Sequence, residues 1–258
     1  PLTHAGPVQN RRGTTVSFHP DAEIFGHDAH FKPERLYRLC RSKAYLYRGV
    51  EIRWSCDTAL ITADSGVPAA EVLHFPNGLL DYLNGTLKSR TTVTPLPFAG
   101  QADFPGDAGR VEWAIAWPED DEGFSHTYCN TIPTPLGGTH EVGLRGALIR
   151  GIKSYGEMLG NKRAATITAE DVMEGATILL SVFIRDPHFQ GQTKERLVSA
   201  DAQKLTESAI KDRFDHWLSG SPDAAKGLIE RLIEKAEERA RKKAQKEMAR
   251  KTPTRRLR

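Results

Sequence analysis

The sequence is poor in several features that would assign it to particular protein classes. Its 258 residues include only three cysteines. Cys40, Cys56 and Cys129 are widely spaced and odd in number, so they indicate neither a disulfide framework nor a zinc site. No apolar run approaches the roughly 20 residues needed to cross a bilayer, and the first residues lack the basic-then-apolar pattern of a signal sequence. We therefore expect a protein of the reducing cytoplasm.

An initiator methionine is also absent, since residue 1 is a proline. We expect the chain to begin inside a longer protein. Its composition is that of ordinary globular material, with 39% hydrophobic and 27% charged residues. That is enough for one large domain or two modest ones.

Positive charge is concentrated at the C-terminal end. Residues 230–258 contain 12 Lys and Arg against 5 Asp and Glu, a surplus of 7, although the whole chain has a net charge of only +3. The remaining residues therefore sum to −4. This asymmetry favours a polyanionic partner or an interdomain contact at the basic end. The alternative, which is the commoner origin of a charge run, is the solvated face of a helix.

Hydrophobic periodicity predicts a mixed α+β or α/β body. Residues 176–184 form a continuous apolar run of strand length, which is typical of a central strand buried on both faces. Alternation or β-branched composition predicts further strands at residues 13–18, 50–54, 110–117 and 125–132. Pro76, Asn77 and Gly78 interrupt the pattern before a short helix, and we place a domain boundary there.

Helices are predicted by an apolar stripe or by their capping residues. Thr139 is the expected N-cap of a helix of about 20 residues, and Thr168 with Asp171 fits a capping box. Ser199 and Asp201 are both possible N-caps of the next helix. Two further helical segments are expected at residues 32–47 and from Pro222 to about residue 252, with the last part projecting from the body.

Four segments could carry chemistry. Residues 186–194 form a Gly-containing loop that could present Lys194 to a phosphate, although such loops are common and no Walker motif is present. Residues 136–140 could bind an anion at a helix N-terminus, or be only a tight turn. His27 and His30 have metal-ligand spacing, but no further ligand completes a shell, so a surface role is favoured. The basic end is the fourth.

Four strings in the sequence resemble one family. DPHFQGQTKERL is similar to the QTK loop of the ATPase subunits of bacterial type II DNA topoisomerases, and EDVMEGATILLSVFIR to the segment that precedes it. NTIPTPLGGTHEVGLRGAL resembles the segment that opens the main helix of the transducer domain. GTTVSFHPDAEIF resembles the last motif of the ATP-binding domain. All four occur in the family's order and spacing.

The resemblance implies an α+β architecture in two parts. Residues 1–77 would be the C-terminal portion of a Bergerat-type (GHKL) α/β sandwich. Residues 78–258 would be a transducer domain with a ribosomal-protein-S5-like fold, containing a left-handed βαβ crossover against the usual handedness rule. A basic exit helix would span about residues 222–252.

The resemblance also assigns the site residues and the cofactors. Gln192 and Lys194 would lie at the γ-phosphate of ATP, with Lys194 acting in catalysis, and Thr14 and Val16 would lie near the adenine pocket. The Mg²⁺ ligands and the general base belong to segments outside this chain. We therefore expect the isolated chain to be inactive as an ATPase.

The function implied is coupling of ATP binding and hydrolysis to the movement of a DNA gate. DNA would contact Arg241, Lys242 and Lys243. Two subunits would dimerise when ATP is bound and assemble with the partner A subunit as a heterotetramer. Within the family, the topoisomerase IV branch is the closer match and the gyrase branch is the alternative. Two other classes are possible. One is a non-enzymatic basic nucleic-acid-binding module. The other is a small-molecule kinase, which would need a glycine-rich phosphate loop at a helix start, and Gly137 and Gly138 alone do not make one.

Overall fold

The computed structural model describes Thr3, Gly6, Pro7, Gln9 and residues 12–251, with side chains described to residue 248. The chain is α+β, as predicted. Its first part contains two helices, α1 (Ala22–Phe25) and α2 (Pro33–Leu46). They are followed by an antiparallel pair of strands, β1 (Glu51–Ser55) and β2 (Ala70–His74).

The second part is built around a five-stranded mixed sheet in the order β3-β4-β7-β5-β6. Only β5 and β7 are parallel among its pairs, and the others are antiparallel. The strands are β3 (Phe98–Asp103), β4 (Gly109–Ala116), β5 (Ser125–Cys129), β6 (Ile132–Pro133) and β7 (Thr177–Ile184). The helices and a small hairpin that complete this part are α3 (Leu79–Leu87), α4 (Thr139–Met158), α5 (Ala169–Met173), β8 (Phe189–Gln190), β9 (Arg196–Leu197), α6 (Ala200–Gly220) and α7 (Pro222–Lys251).

The central strand β7 is buried on both faces, as its continuous apolar sequence predicts. Alternate residues Ile178, Leu180 and Val182 join the larger core, which α4, α6 and α7 cover. Leu179 faces the other way, into a smaller core closed by α3 and the end of α2. Because β7 has paired strands on both sides as well, it is enclosed from Thr177 to Val182, and Phe183 and Ile184 at its end are partly exposed.

The end of α2 is tied to the large sheet by polar contacts. The Lys43 ammonium donates to the carbonyl oxygen of Thr131 over 2.8 Å, and the hydroxyls of Tyr45 and Tyr128 are 3.1 Å apart. Arg48, just after the helix, lies 3.5 Å from Glu112 of β4. These contacts join the two sides of the expected boundary at residue 77, so α2 is packed against the sheet as well as against β1 and β2.

Several local expectations are corrected. Residues 13–18 form no strand, because none of the described strands pairs with them, and Val16 is 74% exposed. The strand expected at 125–132 breaks at Asn130 and Thr131, which adopt positive φ. Gly138, rather than Thr139, is the N-cap of α4.

The remaining helix starts were predicted more closely. The capping box of Thr168 and Asp171 is present at α5. Ser199 occupies the N-cap position of α6 without a capping hydrogen bond from its side chain. Helix α7 begins at Pro222, as predicted, and continues to residue 251; residue 252 and Pro253, the expected stop, lie outside the described residues.

Candidate functional site

The loop that carries Gln192 and Lys194 is the tip of a hairpin. Strands β8 and β9 pair antiparallel and leave residues 191–195 as the connection. Lys194 adopts a φ of +58°, a left-handed conformation that is costly for a residue with a Cβ. Its side chain is exposed, and its Nζ lies 5.9 Å from the centroid of the Phe189 ring. Gln192 is also exposed.

The hairpin is fastened to the turn that precedes α4. The Leu136 N–H donates to the carbonyl oxygen of Glu195 over 3.0 Å, and the Leu197 N–H donates to that of Gly137 over 3.1 Å. Gly138 and Leu197 form a parallel β-bridge, and the Leu197 side chain is fully buried. Two segments that the sequence offered as separate candidates, 136–140 and 186–194, are therefore one structural unit.

Beneath this turn lies a buried polar cluster of Thr127, Thr134 and His140. The hydroxyl oxygens of the two threonines are 2.7 Å apart, and the hydroxyl oxygen of Thr134 is 3.3 Å from His140 Nε2. His140 is fully buried. Burial lowers its pKa to about 4 from the usual 6.5, so its imidazole is neutral near pH 7. From the sequence, His140 was a candidate only as part of the turn, because periodicity does not reveal its contact with Thr134.

The arrangement suits recognition of an anion. No ion pair joins Lys194 to another residue within the described ranges, so its ammonium is available. An ammonium is a compact point charge that binds phosphate well. The hairpin's base is fixed by backbone hydrogen bonds, while its tip is open to solvent. The hairpin and the turn can therefore present the Lys194 ammonium to an anion.

Thr14 and Val16 are located elsewhere in the first part of the chain. Both lie in an extended, exposed segment. No hydrogen bond, ion pair or ring contact among the described residues joins them to Gln192 or Lys194. Their assignment to an adenine pocket remains a prediction.

Helix α7 is held to the body by ion pairs on one face. Arg231 and Lys235 both lie 2.5 Å from the carboxylate of Asp121. Arg239 donates to both oxygens of Asp171, over 2.9 and 3.0 Å. Burial acts to raise the pKa of Asp171, but the hydrogen bonds from Arg239 and Thr168 outweigh it and the net shift is downward.

Beyond Arg239 the predicted DNA-contacting residues separate into different environments. Arg241 is exposed, and Lys242 is paired with Glu238 over 2.7 Å. Lys243 lines a groove of about 510 Å³ together with Lys246, a cation that was not singled out from the sequence. Neither Lys243 nor Lys246 is ion-paired with any described residue. Acidic side chains also line this groove, namely those of Asp121, Asp171, Glu174 and Glu238.

The described part of the chain contains no group of three or more His, Cys, Asp or Glu side chains placed to hold a metal ion. His27 and His30 are both exposed, and His30 Nδ1 is 2.8 Å from the carbonyl oxygen of Asp28. None of the helices in the described part of the chain combines the length and the apolar composition that crossing a membrane requires.

Comparison with solved structures identifies the class of fold. The chain superimposes on the topoisomerase IV ATP-binding domain of Francisella tularensis with a TM-score of 0.68 and 28% sequence identity. The match covers 84% of this chain and 57% of that one. Over the superimposed residues, the chain therefore has the fold of that ATP-binding domain.

The sequence comparisons give the family. The family model described as DNA gyrase B matches residues 78–248, and the chain belongs to this family. The B subunit of DNA topoisomerase 4 from Bartonella bacilliformis is 51% identical over 257 residues, which is 100% of this chain and 37% of that protein. Its counterpart from Caulobacter vibrioides is also 51% identical, over 98% of this chain and 37% of its own length. The chain thus spans little more than a third of these relatives.

Proposed function

We propose that this chain is part of the ATP-hydrolysing subunit of a topoisomerase IV, a type II DNA topoisomerase that relaxes supercoils and decatenates DNA. The single observation that carries the proposal is the hairpin on the Gly137–Gly138 turn, which holds a Lys194 that has no ion-pair partner among the described residues. A plain nucleic-acid-binding module has no use for such a unit. The 51% identity to topoisomerase IV subunits over essentially the whole chain supports this branch of the family over the gyrase branch.

In this proposal Lys194 and Gln192 contact the γ-phosphate of bound ATP. ATP supplies the anion, and its hydrolysis removes it. Lys194 donates charge-assisted hydrogen bonds to the phosphoryl oxygens, which stabilises the charge that spreads over them during transfer. The same contact exists only while the γ-phosphate is present. Lys194 therefore assists the reaction, and loss of its contact after hydrolysis changes the forces that the hairpin exerts on the sheet.

Only two further residues of this chain are assigned to the nucleotide site. Thr14 and Val16 lie near the adenine in this proposal. In the same proposal, the Mg²⁺ ligands and the general base come from segments outside this chain. In this proposal, residues 1–77 belong to the ATPase domain and residues 78–258 to the transducer, which contains the left-handed βαβ crossover of that family.

The C-terminal part of α7 contacts DNA in this proposal. Arg241, Lys242 and Lys243 contribute cations, and Lys246 extends the set along the groove. Such contacts neutralise phosphates without reading sequence. The subunit dimerises through its ATPase domain when ATP is bound, and it assembles with the A subunit as a heterotetramer in the bacterial cytoplasm.

The test uses the complete subunit together with its A subunit. We expect ATP-dependent unlinking of catenated DNA circles and relaxation of supercoils. Introduction of negative supercoils into relaxed DNA would identify a gyrase and overturn the topoisomerase IV assignment. DNA binding without any nucleotide-dependent strand passage would instead favour the binding-module alternative.

A further inference from the structure

We propose that His140 is a positioning residue that, through the hydroxyls of Thr134 and Thr127, fixes the turn on which the Lys194 hairpin rests. It thereby sets where the Lys194 ammonium meets its anion. The identity of that anion, a nucleotide γ-phosphate, rests on the proposed function. The anchoring itself does not.

The distances define the direction of each hydrogen bond in the cluster. The Thr127 hydroxyl lies 2.9 Å from the Thr134 carbonyl oxygen, which can only accept, so Thr127 donates to it. Each hydroxyl has one proton, and the Thr134 hydroxyl therefore donates to Thr127 over 2.7 Å. That leaves His140 Nε2 as the donor to Thr134 over 3.3 Å.

This assignment also accounts for the other ring nitrogen. His140 Nδ1 is buried and has no hydrogen-bond partner among the residues that the structure describes. With the proton on Nε2, Nδ1 carries only a lone pair, so leaving it unpartnered is less costly than burying an unpaired N–H. The imidazole is thus a one-way donor at the end of a short chain of hydroxyls.

The chain connects to the hairpin through the backbone. Thr134 donates its N–H to the Thr127 carbonyl oxygen over 2.8 Å, and its own carbonyl oxygen accepts the Gly137 N–H over 2.8 Å. The Gly137 carbonyl oxygen in turn accepts the Leu197 N–H, and the Leu136 N–H binds the Glu195 carbonyl oxygen. Glu195 is the neighbour of Lys194, so few hydrogen bonds separate the buried imidazole from the ammonium.

The conformation of Lys194 makes this anchoring consequential. A φ of +58° is strained for a lysine, and the local hydrogen bond from its N–H to the Gly191 carbonyl oxygen is long, at 3.4 Å. Strained backbone persists when its surroundings fix it on both sides. Loosening the turn at residues 134–138 would let residues 191–195 relax and move the ammonium away from its position.

The first experiment is hydrogen exchange on the complete subunit without nucleotide, comparing Thr134→Val with Thr134→Ser. Valine keeps the shape and removes the hydroxyl, whereas serine keeps the hydroxyl. In Thr134→Val we expect the amides of Leu136 and Leu197 to exchange about three- to tenfold faster, the range for one lost hydrogen bond. Thr134→Ser should restore protection. Unchanged exchange, or acceleration spread evenly over the sheet, would overturn the anchoring. If Thr134→Val does not fold, Thr127→Val, which removes the other hydroxyl of the same hydrogen-bonded cluster, takes its place in the experiment.

The second experiment measures ATPase activity in a double-mutant cycle. Thr134→Val should lower kcat about three- to tenfold with little change in KM, and it should add no further loss in a Lys194→Ala background, because it acts through Lys194. Losses that multiply would show a role independent of Lys194 and would overturn the positioning. If Lys194→Ala alone has no effect, the proposed function fails, while the exchange experiment still decides the anchoring.

Discussion

Gly138 packs directly against the backbone of Leu197. A Cβ built on Gly138 would lie 2.3 Å from the Leu197 carbonyl oxygen, and the φ of this glycine is +147°. Both facts exclude an ordinary side chain. The contact brings the turn before α4 against the strand that closes the Lys194 hairpin, so the position of the hairpin depends on the absence of one carbon atom.

Gly138→Ala should destabilise the chain. We expect the free energy of unfolding to fall by about 1–3 kcal/mol, the usual cost of an overpacked site, measured by urea denaturation. Gly227→Ala is the matched control, because a Cβ there meets nothing within 4 Å and alanine is the better helix former by up to about 1 kcal/mol. Equal stability of the two variants would contradict this interpretation of the contact.

Lys194→Ala in the complete subunit should strongly impair ATP turnover. Loss of an electrostatic contact to the transferring phosphoryl group raises the barrier by roughly 2–4 kcal/mol. Lys194→Arg should rescue poorly, since a planar guanidinium replaces a compact ammonium. Lys204→Ala, which removes an exposed cation of α6, serves as the charge control. A kcat in Lys194→Ala equal to that of the unmodified protein would refute the assignment.

The chain by itself should not hydrolyse ATP. A phosphate-binding lysine cannot activate water without a general base and a magnesium site, and the proposed function places both of these outside this chain. Steady-state ATPase assays on the purified 258-residue chain test this. Turnover that survives repurification and is abolished by Lys194→Ala would show that the expectation is wrong.

Stability should decline as pH falls from about 6.5 towards 4, because the pKa of buried His140 is lowered from 6.5 to about 4. Below pH 6.5 the His140 imidazole is protonated in the unfolded chain but stays neutral in the folded chain. The free energy of unfolding therefore falls by up to about 3 kcal/mol across this window. Burial lowers the pKa of His126 too, with the same sign. Urea unfolding of His140→Gln, which cannot titrate there, should show a shallower decline. An identical pH profile would exclude His140 as the cause.

DNA binding by the dimeric ATPase region should weaken steeply with salt. Replacing Arg241, Lys242 and Lys243 by alanine should reduce the slope of log affinity against log salt by about one for each lost phosphate contact. The double variant Lys243→Ala, Lys246→Ala should reduce the salt slope as much as a double variant of Arg241 and Lys242, since Lys243 and Lys246 both line the groove. An unchanged slope would favour a solvated linker helix, and a loss limited to one DNA sequence would argue against backbone contacts.

Elements whose structure depends on neighbouring residues were predictable from sequence. The buried run of β7 follows from apolar continuity, and the start of α5 follows from the side chains of Thr168 and Asp171, three residues apart. The restart at Pro222 follows from the fixed φ of proline. In each case the physical cause lies within a few residues of the feature.

Features that depend on distant partners were not predictable. Residues 13–18 have strand composition but no strand to pair with among the described ones, and composition alone cannot supply a partner. Strand β3, which contains Gly100 and Asp103, lacks a clear alternation and is recruited by its pairing with β4. The junction of Gly138 with Leu197 joins residues 59 positions apart, and no local pattern indicates that the two segments meet.

The ion pairs of α7 have a mechanical consequence. Arg231, Lys235 and Arg239 are spaced four residues apart on one face and hold carboxylates of two different segments, those of Asp121 and Asp171. Such a clamp resists both rolling and tilting of the helix. Beyond Arg239 the helix continues for 12 residues to residue 251, about 18 Å at 1.5 Å per residue. A rotation of about 10° of the clamped segment would therefore move the far end by about 3 Å, so an angular change in the segments that carry Asp121 and Asp171 reaches the basic end as a linear displacement.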